Sequence, residues 1–210
     1  MPLSDPQPRR KLHTRTIVID GYRREDGMFD IEAQLADTKA KEIYSEHRGM
    51  IPVGEPLHGM RMRMTVDEEL HIVACEAVSD HTPYAVCRLA APNFSRLAGL
   101  RIKAGFLREA AARIGGVEGC THLRELLQQM GTTAHQTVHS ARADREAERI
   151  AAETGRVLSP EEIDTRTAAK FGGGKRILNT CMAYDETGPL VKKRWPDLYR
   201  DPADPAAAAD

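Results

Sequence analysis

Seven polar side chains scattered over the first 122 residues offer chemistry: His13, Arg15, Glu32, Glu55, His58, Cys120 and His122. Imidazoles move protons near neutral pH, a carboxylate can orient an imidazole, and an arginine pairs with an anion. Gly119-Cys120-Thr121-His122-Leu123 sets a thiol and an imidazole at an expected helix start, where free backbone N–H groups favour negative charge. The plainer reading of that string is a cysteine packed as a small apolar residue, with His122 capping a neighbour. Gly54-Glu55-Pro56-Leu57-His58 reads as a proline turn presenting Glu55 and His58 as an acid/base pair, or simply as a polar turn. His13 and Arg15 share one face of a first strand, and Asp30 and Glu32 share one face of its return strand. These groups are expected to meet across the hairpin, either lining a binding surface or forming an exposed salt-bridged ladder.

Three further patterns carry less. His135 and His139 have the i, i+4 spacing of metal-binding helices, but the glutamate of H-E-x-x-H is missing and both fall opposite the apolar stripe. Cys87, Cys120, His122 and Cys181 form a soft-metal set in principle, with no C-x-x-C among them. Phe171-Gly172-Gly173-Gly174-Lys175-Arg176 lacks the Ser/Thr of a phosphate loop, and is expected to be a flexible connector.

The elements that must position these residues follow from periodicity. Thr16–Tyr22 is a β-branched run, Asp26-Gly27 is a hairpin turn signal, and Met28–Leu35 is the return strand. Met60, Met62, Met64 and Val66 alternate with polar residues, Asp67-Glu68-Glu69 turns the chain, and Leu70–Val78 returns. Ala104–Ile114 is a short helix. A long helix begins near Thr121, whose hydroxyl can cap it. Leu123, Leu126, Leu127, Met130, Ala134, Thr137, Val138 and Ala141 make one stripe along it. The expected fold class is α+β: an antiparallel sheet of about four strands in two hairpins, covered on one face by helices, one of them long. The expected organisation is a disordered lead-in over 1–11, one domain over 12–200 and a disordered tail over 201–210. Within the domain, 142–165 reads as a solvated, charged helical excursion that restarts at Ser159-Pro160-Glu161-Glu162.

The totals exclude several function classes. A formal charge of −1 gives no field that would draw the chain to nucleic acid or to an anionic membrane. Four cysteines are too few and too spread for a disulfide scaffold. No apolar run approaches the ~20 residues of a membrane span, and residues 1–11 lack the apolar stretch of a secretory signal. A cytoplasmic protein with reduced thiols is expected.

Taken in order, several strings resemble one bacterial family, domain of unknown function 2889. They are His13-Thr14-Arg15; Asp26-Gly27 followed by Asp30-Ile31-Glu32-Ala33; Gly54-Glu55-Pro56-Leu57-His58; Gly119-Cys120-Thr121-His122-Leu123 with Glu125-Leu126-Leu127; and Asn179-Thr180-Cys181. The resemblance runs from His13 to Tyr199 and brings no agreed activity. It implies that the polar residues of these strings line one site.

The leading expectation is a cofactor-free enzyme of lyase, isomerase or hydrolase type, acting on a carbonyl, acyl or aromatic metabolite in small-molecule catabolism. His58 or His13 would move protons, Glu32 or Glu55 would orient an imidazole, Arg15 would pair with a substrate anion, and amides near Cys120 would stabilise developing charge. No cofactor is expected, since no dinucleotide fingerprint or complete nucleotide loop occurs. The alternatives are a metal or iron–sulfur carrier or regulator using Cys87, Cys120, His122 and Cys181, and a ligand-binding module without catalysis. The expected partner is a small-molecule ligand, with no nucleic acid and no membrane; a homodimer is open to it.

Overall fold

The structure, a computed structural model, describes residues 2–171 and 173–202. The tail expected to be loose falls outside the described residues from 203 onward, as does Met1 of the lead-in. Residues 2–12 form no regular element.

β1 (His13–Arg23) and β2 (Phe29–Lys39) form the first hairpin. Its turn holds because Gly27 takes a left-handed φ of 86° and the Asp26 carboxylate accepts the Met28 N–H at 3.2 Å. A short separate hairpin follows, β3 (Ile43–Ser45) with β4 (Gly49–Ile51). β5 (Pro56–Val66) and β6 (Ile72–His81) form the second long hairpin. The main sheet has the order β1-β2-β5-β6 and every pair in it is antiparallel. The expected α+β class with a four-stranded antiparallel sheet is what the chain adopts.

The two faces of the sheet differ in chemistry. Phe29, Ile31, Ala33 and Leu35 of β2 and Met60, Met62, Met64 and Val66 of β5 are all buried, and their register places them on one face. The other face carries a lattice of charge. Arg63 donates to Glu32 at 2.6 Å and to Glu76 at 2.8 Å, and Arg61 donates to Asp80 at 2.8 and 2.9 Å.

After a 3-10 stretch, Ala85–Leu97, come α1 (Phe106–Ile114) and the long α2 (Thr121–Thr154). Leu123, Leu126, Leu127, Met130, Ala134, Val138 and Ala141 of α2 are buried and Thr137 half-buried, as the stripe requires. A Cβ at Gly21 of β1 would stand 1.9 Å from Thr137 Oγ1, so only glycine lets the strand pass the helix there.

The chain forms two compact units, Met1–Val138 and His139–Asp210, where the sequence reading treats 12–200 as one domain. The second unit holds the C-terminal part of α2, α3 (Pro160–Phe171), α4 (Gly173–Ile177) and α5 (Pro189–Arg194). Ser159 and Glu162 exchange a capping box: the Glu162 N–H reaches Ser159 Oγ at 3.3 Å, and the Ser159 N–H reaches Glu162 Oε2 at 2.9 Å. Ile150 and Leu158 are buried, as is Glu146. Residues 142–165 are thus partly packed, with the remaining positions half-buried or exposed. The glycine run is not a free connector, because 173–177 are helical; Gly172 lies outside the described residues.

Candidate functional site

Asp37 continues the apolar alternation of β2, Phe29-Ile31-Ala33-Leu35, one step further. A carboxylate therefore stands on the core face of the sheet, 1% exposed, where the pattern calls for another aliphatic residue. A buried acid of this kind must be paired or neutralised, and it is paired. Arg15, its register partner on β1, donates from Nε to Oδ1 at 2.8 Å and from Nη2 to Oδ2 at 2.7 Å. Such a bidentate fork is among the strongest hydrogen-bonded ion pairs. His13, on the same face of β1, reaches Oδ1 from Nε2 at 3.1 Å. His58, the register partner on β5, reaches Oδ2 from Nδ1 at 3.1 Å. His122, in the first turn of α2, brings Nε2 to 3.6 Å from Oδ2. Its ring stacks on His58 with centroids 3.9 Å apart and planes tilted by 29°.

Local backbone features aim these groups. The β2–β5 ladder slips at Asp37/Thr38 and the β5–β6 ladder slips at Gly59/Met60, so irregularities flank His58 on both sides. Bulges of this kind redirect side chains at sheet ends. Gly59 is needed there, because a Cβ would lie 2.8 Å from the His81 ring. At the start of α2 the Cys120 carbonyl accepts the Arg124 N–H at 2.9 Å. Cys120, not Thr121, thus holds the cap position. Its Sγ lies 3.9 Å from His122 Nδ1. Glu125, one turn on, pairs with the free end of the Arg15 guanidinium.

The electrostatics make Asp37 a fixed anion and favour the neutral forms of His58 and His122. Burial alone would raise the Asp37 pKa, but Arg15, then His13 and His58, outweigh it and hold the pKa at about 2. Burial lowers the His58 pKa, and neighbouring His122 lowers it further against the pull of Asp37. Burial and then Arg15 lower that of His122. An ionised carboxylate only accepts, so His58 donates from Nδ1–H and keeps its lone pair on Nε2.

Of the seven sequence candidates, the structure brings His13, Arg15, His58 and His122 together on Asp37, with Cys120 beside His122. Glu32 is not there. Its register partners are Asp20 and Arg63, and it belongs to the charged outer face together with Asp30, which accepts from Thr65 at 2.7 Å. The physical reason is register. Pairs across the first hairpin are Arg15 with Asp37 and Tyr22 with Asp30, so the acids nearest the turn cannot meet residues at its open end. Glu55 is also elsewhere, bonded by Arg48, which donates in addition to the Pro56 carbonyl at 2.7 Å. Three of the five N–H donors of Arg15 are engaged, two by Asp37 and one by Glu125. A hollow of about 200 Å³ lined by Thr16, Val18, Gln34 and Arg61 holds none of the seven.

Asp37 is the residue that sequence reasoning missed, because the return strand was ended at Leu35. Stepping out equally from the Asp26-Gly27 pair would put Thr38 opposite Arg15; the observed register is centred on Asp26, and that one-residue offset brings Asp37 there. The soft-metal set is not gathered: among the described residues, the group of potential ligands that converges is Asp37, His58 and His122, with ligand atoms within 4.8 Å of one another. Only His122 belongs to both sets. Cys75 is buried, Cys87 and Cys120 are half-buried and Cys181 is exposed, and all four are free thiols in the structure. Burial pushes the Cys75 thiol up to about 12, which makes it inert.

The chain belongs to the family described as Protein of unknown function (DUF2889), whose profile matches residues 13–136. The match ends well short of Tyr199, the limit suggested by the sequence strings, and contains every residue of the Asp37 cluster. Comparison with curated proteins and with solved structures finds no match. Among the described residues, no helix is long and apolar enough to cross a membrane.

Proposed function

We propose that the Asp37 cluster is the active site of a small-molecule enzyme of lyase, isomerase or hydrolase type, working by proton transfer on a carbonyl, acyl or aromatic metabolite. The observation that carries this reading is a buried, ionised carboxylate serving as the common partner of three imidazoles from three different elements. A purely structural carboxylate is satisfied by one arginine fork. Here the fork is already complete, and the imidazoles are additional. Asp37 takes the orienting role that the sequence reading gives to Glu32 or Glu55: it fixes the His58 tautomer and leaves Nε2 as a base. His13, 38% exposed, is the member of the cluster most open to solvent and suits proton exchange with it.

The test is a thermal-shift screen of the purified protein against carbonyl, acyl and aromatic metabolites, followed by turnover of any stabilising compound. His58→Ala should abolish turnover while leaving the melting temperature of the free protein nearly unchanged. Turnover that survives in both His58→Ala and His13→Ala would remove the cluster from the chemistry.

A further inference from the structure

We infer that Asp37 Oδ2, His58 Nδ1 and His122 Nε2 form a site for one divalent transition-metal ion of the zinc type. The inference rests on reading this cluster as the functional centre and names the ion that centre would take. Three observations converge. The first is donor identity: two imidazole nitrogens and one carboxylate oxygen are the set that three-ligand catalytic metal sites use, leaving a position open for water or substrate. The second is distance. Metal bonds of about 2.0–2.1 Å at tetrahedral angles place neighbouring ligand atoms roughly 3.3 Å apart. Here His58 Nδ1 and His122 Nε2 stand 3.1 and 3.6 Å from the same carboxylate oxygen. The third is the lone-pair count. An ionised carboxylate has about four acceptor positions. Arg15 takes one on each oxygen, and His13 takes the second on Oδ1. The remaining position, on Oδ2, is the one that faces His58 and His122.

The surroundings are those that metal ligands use. Ligating groups are held by outer partners. Arg15 and His13 hold Asp37, and Cys120 Sγ lies at the far nitrogen of His122. Asp37 and Glu125 offset the charge of Arg15. An ion at this place replaces the proton that His58 Nδ1 otherwise donates, and the ring then carries its hydrogen on Nε2. His13, on the other carboxylate oxygen, is left as the proton-moving imidazole. A bound ion polarises a carbonyl or lowers the pKa of a bound water, which serves the hydrolase and lyase classes best.

The experiment is titration of chelator-treated full-length protein with Zn(II) by calorimetry and with Co(II) by visible absorption. One ion per chain is expected, with a Co(II) spectrum of four- or five-coordinate type. Loss of outer partners alone costs 10–100-fold in affinity, so His58→Gln and His122→Gln should each weaken binding by ~100-fold or more, with circular dichroism confirming that both variants fold. Cys87→Ser and Cys181→Ser should bind as the parent does. No saturable binding, or binding that survives in both histidine variants, overturns the inference. The same chelator-treated protein separates this from the acid–base reading. If it still turns over a compound found in the screen and His58→Ala abolishes that turnover, proton transfer at the cluster stands and the metal site fails.

Discussion

Among the described residues two acids lie buried, and their partners differ. Asp37 in the first unit and Glu146 in the second are each held at about pKa 2. Glu146 is bonded by Arg149 at 2.7 and 3.2 Å and by Lys170 at 2.7 Å, a guanidinium and an ammonium that only donate. Asp37 also has an arginine fork, but around it stand three imidazoles, which can give up or take a proton and can ligate. A depressed carboxylate pKa is common to both places and so marks neither as a site. The partners decide. Glu146 is held by cations, Asp37 by a cation together with titratable rings.

The comparison breaks first on activity. Asp37→Asn should lower turnover of a screened compound by ~10²–10⁴, the usual size of an acid–base contribution, whereas Glu146→Gln should leave it within a factor of about two. Equal losses would mean that both acids act only through folding. Next in size is a packing control. Leu127 is 2% exposed on the stripe of α2, so Leu127→Ala should cost roughly 2–5 kcal/mol in chemical denaturation without changing the ion stoichiometry.

A subtler effect is pH. The His58 and His122 pKa values are lowered in the fold, so their contribution to stability is present above the unfolded value of 6.5 and is lost as pH falls through the folded values. Asp37 and Glu146 lose theirs only as pH falls from their ordinary values of 3.8 and 4.5 towards 2. In metal-free protein, amide protection around β2 and β5, corrected for the pH dependence of intrinsic exchange, should therefore fall below pH 6.5, before any change around Glu146. Simultaneous loss would contradict the partner argument. The smallest effect belongs to Glu32→Gln and Glu55→Gln, which should change neither turnover nor ion binding, since Arg63 and Arg48 hold those carboxylates away from the cluster.

The fold was largely legible because its signals are periodic. The methionine alternation of β5 and the seven buried apolar positions of the stripe from Leu123 to Ala141 can be counted from residue type alone. The site was legible in its histidines, in Arg15 and in the Cys120–His122 string, because these types are chemically conspicuous. Asp37 was not, since one acid near the end of a strand looks like any surface aspartate. Its place shows only when strand register is carried nine pairs out from a turn. Glu32 and Glu55 were misassigned for the same reason: type is visible in a sequence, but facing is set by a two-residue period and by bulges. The second unit was misread because its helix surface is mostly charged, and few apolar residues mark its packed side.

Register also sets the order in which the molecule assembles. The tight turn at Asp26-Gly27 brings Arg23 and Phe29 together first, and His13 and Lys39 last. Hairpins close in microseconds from such nuclei, and their open ends fray most readily. The Asp37 cluster therefore sits near the end of the zipper that closes latest and opens soonest. The two-pronged grip of Arg15 on Asp37 is a clasp across that end, and an ion joining β2, β5 and α2 would be a second.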